Sequence, residues 1–208
     1  KGHFDKNEEA SLSLELNALV AANAELYYRS MVRGGTETWN IRDTHMVETL
    51  KRLIDFHGPN TKVIVWEHNT HVGDARATDM AQEGMVNVGQ LMRENYGFED
   101  VFVVGFGTYE GTVIAGSSWG AALEKMVVPP ASKNSWEELM HRAGSFDQLL
   151  LPELLNEETF MSVLGHRAIG VVYDPALEHF GNYVPTNMAK RYDSFIFIHS
   201  SNALHPLQ

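Results

Sequence analysis

The sequence predicts an α/β domain in which a mostly parallel sheet is covered by helices on both faces. Short, almost purely apolar runs of strand type recur along the chain, and segments with helical spacing alternate with them. Strands buried on both faces read as continuous apolar runs rather than as alternating ones, which is the mark of a parallel sheet. The first element is a long helix over Glu8 to Met31, rich in Ala, Leu and Glu, with Leu12, Leu16, Leu19, Val20 and Leu26 near helical spacing, and Gly34-Gly35 ends it. A second helix follows, with Asn40 as N-cap, Asp43 in the capping-box position, and Met46, Val47, Leu50, Leu53 and Ile54 on one apolar face. His57-Gly58-Pro59 stops it, and Lys62 to Trp66 reads as a strand.

Val86 to Tyr96 has helical character, and Val101 to Gly105 reads as a further strand with a glycine-rich exit through Gly107 and Gly111. Ser135-Trp136-Glu137-Glu138 opens a capped helix that runs to Ala143. Ala168 to Tyr173 and Phe195 to His199 read as two further buried strands. No internal repeat, low-complexity run or linker divides the 208 residues, which fit one domain or part of a larger one.

Composition narrows the function. The net charge of −11 argues against a nucleic-acid partner, because phosphate binding needs clustered Lys and Arg. No apolar run approaches the roughly 20 residues that span a bilayer, so no membrane association is expected. The chain has no cysteine, which excludes disulfides, thiol nucleophiles and zinc–thiolate sites. It starts at Lys1 with no apolar leader in the first ten residues, which suggests a trimmed product.

The stretch with most chemical content is Val63-Ile64-Val65-Trp66-Glu67-His68-Asn69-Thr70-His71-Val72-Gly73-Asp74. Sites in open α/β sheets gather at the carboxyl ends of strands, and histidine transfers protons near neutral pH. A strand that delivers His68 and His71 into one loop is therefore a candidate for acid–base or metal chemistry, against the plainer reading of two surface histidines in a turn. Arg42 and Asp43 lie one turn before Met46 and Val47, so helical period puts both on the inward face of the second helix. An antiparallel return brings the start of that helix to the end of the strand. A charged pair facing inward is rarely tolerated unless paired or functional. The alternative is that Asp43 only closes the cap while Arg42 reaches solvent.

Two rival chemistries are weighed. Gly116-Ser117-Ser118-Trp119-Gly120 matches the Gly-x-Ser-x-Gly nucleophile elbow, with Thr112 to Ala115 as its strand and Ala121 to Val127 as its helix. In a chain with 17 glycines the pattern is weak, and Gly105 to Gly111 is too glycine-broken for a confident central strand. His68-x-x-His71 as a zinc or haem site lacks the third ligand such sites require. No metal or other cofactor is expected.

Taken together, Trp39-Asn40-Ile41-Arg42-Asp43-x-x-Met46, Trp66-Glu67-His68-Asn69-Thr70-His71, Gly105-Phe106-Gly107-Thr108 and His166-Arg167-Ala168-Ile169-Gly170-Val171-Val172-Tyr173-Asp174-Pro175 resemble the erythromycin esterase family, over about Asn23 to Leu207. The resemblance implies a three-layer α/β/α fold and metal-independent hydrolysis of a macrolide lactone ester by activated water. Family members are about twice this long, and the Gly-Glu-x-x-His-Gly motif of their first half, which carries the general base, is absent here. The expectation is thus the C-terminal portion, residues 1–208, of a soluble, cytoplasmic esterase-like hydrolase. In it the catalytic His68 and His71 orient a small-molecule ester or stabilise its carbonyl oxygen. Arg42, Asp43, Asn69 and Arg167 contact the substrate or hold a carboxylate of the missing half. The partner expected is that missing half, or a second copy of the chain. A non-catalytic binding module on the same scaffold is the reading from another class.

Overall fold

The computed structural model describes residues 6–204. In chain order the elements are α1 (Lys6–Met31), α2 (Glu37–His57), the single turn α3 (Asn69–Val72), α4 (Val88–Tyr96), β1 (Val104–Gly116), β2 (Leu123–Val128), α5 (Trp136–Ala143), β3 (Gln148–Leu150) and α6 (Pro152–Leu155). They are followed by β4 (Val163–Arg167), α7 (Glu178–Gly181), β5 (Tyr183–Asn187), α8 (Met188–Arg191) and β6 (Ser194–Ser201). The fold is mixed α/β, but the sheet is not mostly parallel. A four-stranded sheet has the order β2-β1-β6-β3, and β4 and β5 form a separate antiparallel pair. Only β1 and β6 run parallel; β2 against β1 and β3 against β6 are antiparallel.

The two long helices form as their sequence predicts, and α1 lies along α2, with an ion pair between Glu15 and Arg52. The start of α2 differs. It begins after Thr36, so Asn40 is inside the helix rather than at its cap. The Asn40 side chain instead ties down a distant loop, donating to the Gly84 carbonyl and accepting from the Val86 N–H, 2.9 Å each. At the other end Gly58, at φ 92°, donates its N–H to the Ile54 carbonyl, a conformation that favours glycine.

Lys62 to Trp66 joins no ladder among the described residues, and it leaves Ile64 92% and Trp66 83% exposed. Periodicity identified strand-type residues there without supplying a partner for them. The strand expected over Val101 to Gly105 starts instead at Val104 and continues through all the glycines to Gly116. Those glycines admit aromatic packing. A Cβ at Gly105 would stand 2.7 Å from both Phe195 and Tyr192, and one at Gly107 would stand 2.8 Å from Phe195. The main core gathers there: Val103, Trp136, Met140, Leu150, Leu155, Met188, Tyr192, Phe195 and Phe197 are buried together.

Three further expectations are corrected. Ala168 to Tyr173 is not a strand. It touches the sheet at one bridge, Val172 to Gly116, while the strand upstream ends at Arg167. Residues 121–127 form no helix but lead into β2, which returns antiparallel along β1. Gly116 to Gly120 is therefore a hairpin turn with Ser118 exposed, and strand–turn–strand cannot build an elbow that needs a helix after the serine. The helix after Ser135 and the strand around Phe195 to His199 form as expected.

Candidate active site

Three segments meet around α3. The first is the start of α2, which carries Trp39, Arg42 and Asp43. Asp43 is fully buried, and both its oxygens lie against His71 Nδ1, at 2.9 and 3.0 Å. It also accepts the Val88 N–H at 3.3 Å. The aspartate expected in a capping box is thus spent on a histidine 28 residues away. The Trp39 ring is parallel to the His71 imidazole, 4.5 Å between centroids. Trp39 Nε1–H donates to the Val86 carbonyl, which fixes the indole. Arg42, with a side chain 41% exposed, lies 4.8 Å from that indole's centroid and 3.8 Å from Asp43.

This geometry sets the state of His71. A carboxylate at Nδ1 holds the proton on Nδ1, which leaves Nε2 as the basic nitrogen. Nε2 has no hydrogen-bond partner among the described residues, and the side chain stays 20% exposed. Glu67 adds a second acid. Its Oε2 is buried without a partner among the described residues, and burial raises its pKa above the usual carboxylate range, with His71 opposing the rise and Asp43 adding to it. A carboxyl with raised affinity for protons beside an imidazole held in one tautomer is an acid–base pair of the kind catalysis uses.

His68 is engaged differently. As N-cap of α3 its Nδ1 accepts the Thr70 N–H at 3.2 Å, so Nε2 carries the proton and donates to the Ile169 carbonyl at 2.9 Å. Loss of hydration lowers its pKa, and His71, His166 and Arg191 push the same way against the Ile169 bond. His68 is therefore a neutral N–H donor.

Asn69, between the histidines, hangs α3 from the sheet. Its side chain accepts the Phe106 N–H at 3.1 Å and donates to the Phe106 carbonyl at 2.5 Å. Behind it lies a network that the sequence did not reveal. His166 is wholly buried, with Nδ1–H on Glu137 Oε1 at 2.5 Å and Nε2 accepting from Tyr192 (3.1 Å) and Asn69 (3.3 Å). Burial lowers the His166 pKa, Glu137 opposing and Arg191 assisting. The same burial, beside Glu137 and against the pull of Arg191, pushes the Tyr192 hydroxyl up to about 12, so it stays a donor. Buried Arg191 donates to Thr186 and to the Asn69 carbonyl. Only the His166-Arg167 motif hinted at this cluster, because Glu137 lies 29 residues earlier.

Arg167 is placed apart from His71. It is buried, and its guanidinium serves Glu178, Tyr183 and the carbonyls of Thr108, Tyr109 and Pro129. It staples β4 to β1 and offers a ligand little. Thus His71, Arg42 and Asp43 share one surface site with Glu67 and Trp39, while His68 and Asn69 join that site to the buried His166. Two shallow recesses between α1 and the end of α2 are lined by none of these residues.

The position of α3 also depends on Gly89 in the first turn of α4, where a Cβ would come within 1.8 Å of the Val72 carbonyl oxygen.

A profile of the erythromycin esterase family matches residues 1–201. Among solved structures, the chain is similar to a Bacillus cereus protein (20% identity, TM-score 0.66, 80% of this chain and 40% of that one). It is also similar to a succinoglycan biosynthesis protein (18% identity, TM-score 0.67, 95% and 51%). A mutant of the erythromycin esterase EreC in its open conformation shares 18% identity at a TM-score of 0.54, over 95% and 54%. At these identities the structures speak for the fold alone, and the chain spans roughly half the length of each.

Proposed function

Because the chain belongs to the erythromycin esterase family, we propose that it carries one side of the active site of an esterase-like hydrolase that cleaves a carboxylic ester, with macrolide lactones as the substrate class to test first. The observation that carries this reading is the Asp43–His71 pair, stacked on Trp39, with Nε2 unpartnered among the described residues and Glu67 beside it. Beyond the orienting role the resemblance implies, His71 Nε2 takes or returns a proton during ester cleavage, alongside the general base expected in the missing half. His68 Nε2–H, now given to Ile169, is the donor suited to charge developing on the carbonyl oxygen. Arg42 is the cation exposed at this site and binds a carboxylate, whether of the substrate or of the rest of the protein. Asp43 and Asn69 hold the two histidines in position. Arg167 is left out of the site. With no cysteine, and Ser118 on a hairpin, hydrolysis proceeds by water without an acyl-enzyme or a resident metal.

The solved relatives are about twice as long, which supports a site completed by a further segment. Residues 61–68, with the apolar side chains of Ile64 and Trp66 exposed, offer a surface for it. The cytoplasm is the compartment proposed; among the described residues no helix is long and apolar enough to cross a membrane. The test compares ester and lactone turnover by the complete protein and by the 208-residue chain. The complete protein is expected to turn over, to survive exhaustive chelation, and to lose about 10²–10⁴-fold in kcat on His71→Gln. The isolated chain is expected to stay at background. Full activity from a monomer of this chain, or fluorophosphonate labelling of Ser118, would overturn the reading; a complete protein that binds macrolides without turnover would favour the binding module.

A further inference from the structure

A second carboxylate–histidine pair lies behind the turn α3, and neither member takes part in the proton transfer described above. Glu137, in the first turn of α5, and His166, on β4, are both fully buried, with His166 Nδ1 and Glu137 Oε1 2.5 Å apart. The same Oε1 accepts the Arg167 N–H at 3.0 Å, so an acceptor is required there and the imidazole carries its proton on Nδ1. Its Nε2 is then a fixed lone pair, facing Asn69 Nδ2 at 3.3 Å and the Tyr192 hydroxyl at 3.1 Å. Phe195 and Tyr192 meet the ring edge to face, at 5.4 and 5.8 Å between centroids, and hold its plane. β1 makes room for the pair, since a Cβ at Gly107 would stand 3.3 Å from Glu137 Oε1.

A charge buried with imperfect pairing stabilises a core no better than apolar side chains of the same volume, and Glu137 Oε2 has no partner among the described residues. What the pair does hold is one amide. Asn69 accepts the Phe106 N–H and donates to the Phe106 carbonyl, and its other Nδ2 hydrogen goes to His166. An acceptor at that point keeps the amide from turning over, which would set its oxygen against the Phe106 carbonyl. We propose that Glu137 and His166 are positioning residues of the hydrolytic site: the lone pair they present locks the Asn69 amide, and with it the α3 turn that sets His68 and His71. The inference rests on the esterase reading, and neither residue touches the ester. Arg191, also buried, donates to the Asn69 carbonyl at 3.3 Å, so side chain and backbone of this one residue are held from separate directions.

Two substitutions at one position separate the two bonds of His166. His166→Asn can still donate to Glu137 but leaves Asn69 without its acceptor. His166→Gln reaches further, so its carbonyl can stand where Nε2 stood, while Glu137 loses its donor. In the complete protein His166→Asn is expected to lower kcat about 10–100-fold with KM little changed, the scale of loss for a group displaced by about 1 Å. His166→Gln should recover most of that loss although the unpaired Glu137 lowers its melting temperature. A purely structural role would make kcat follow melting temperature instead. In the 208-residue chain, nitrogen NMR should show His166 protonated at Nδ1, and the Asn69 side-chain amide should exchange with solvent far more slowly than an exposed one. These two measurements need neither a variant nor an ester. His166→Asn should speed that exchange and shift the ring signals of His68 and His71. An Nε2–H tautomer at His166, fast Asn69 exchange in the unsubstituted chain, unchanged kcat in His166→Asn, or His166→Gln as impaired as His166→Asn would each overturn this proposal alone. A complete unsubstituted protein that hydrolyses no ester would overturn the esterase reading, and this role with it.

Discussion

Replacing Asp43 by Asn tests the core of the functional reading with the least change of shape. Asp43 is fully buried and has His71 Nδ1 at 2.9 and 3.0 Å and the Val88 N–H at 3.3 Å. Asn keeps the size but places an NH₂ where a carboxylate oxygen stood. To avoid two facing donors His71 must accept at Nδ1, so its proton moves to Nε2 and the basic lone pair disappears from the open side. Loss of a positioned base lowers kcat by about 10²–10⁴-fold, or about 2.7–5.4 kcal/mol of barrier. Stability should change far less. A hydrogen bond to a charged group contributes about 1.5–3 kcal/mol, and relief of burying the charge offsets part of it. Steady-state kinetics on the complete protein read the first effect. Nitrogen NMR of the 208-residue chain reads the tautomer, expected as Nδ1–H in the unsubstituted His71 and Nε2–H in the variant. A folded D43N protein with kcat within about threefold of the parent, or a His71 already protonated at Nε2, would refute the reasoning.

Other outcomes follow from the same geometry. His68 and His166 both have pKa values below the usual 6.5, so the unfolded chain takes up protons first as pH falls; unfolding free energy in urea should decline from pH 6.5 downward, and a flat profile would contradict both hydrogen-bond assignments. Glu67 behaves oppositely, since burial raises its pKa and its ionised form strains the fold. Glu67→Gln should raise the melting temperature at pH 7, leave it unchanged near pH 4, and impair turnover, whereas equal melting at pH 7 would show the carboxylate to be well solvated. Gly89→Ala should destabilise by roughly 1–3 kcal/mol from overpacking, although helix propensity alone favours Ala by about 1 kcal/mol. A stabilised variant would mean that α3 moves freely away from α4.

What the sequence made legible was local. Both long helices, the capped helix at Ser135 and the strand at Phe195 follow from periodicity and caps, which neighbouring residues alone decide. The convergence of Arg42, Asp43 and His71 was also legible, because a helix and the segment after it must return toward each other. The sheet was not. Lys62 to Trp66 has strand composition, but a strand is defined by its partner. Gly105 to Gly111 looked too broken to be one, because the rings of Tyr192 and Phe195 that require Gly105 and Gly107 are about 90 residues away. Asn40 and Asp43 had the spacing of a capping box, yet both side chains bind distant groups, the loop at Gly84 and His71. The Glu137–His166–Asn69 chain joins three segments that no spacing rule connects. Arg167 was read as contacting the substrate or holding a carboxylate of the missing half, yet its five acceptors come from segments around residues 108, 129, 178 and 183.

Two of those side chains have a consequence for how this sheet meets other chains. β2 covers only Gly111 to Gly116 on its side of β1, so among the described residues the first half of that strand, from Val104 to Glu110, has no neighbouring strand there. A bare edge is a template for intermolecular pairing and aggregation. Here Asn69 occupies both backbone groups of Phe106, and Arg167 takes the carbonyls of Thr108 and Tyr109. Two side chains thus guard an edge that a strand would otherwise seal, and one of them also carries the turn between the histidines. An incoming strand that displaced Asn69 would pull that turn with it, so aggregation along this edge and loss of the site would be one event.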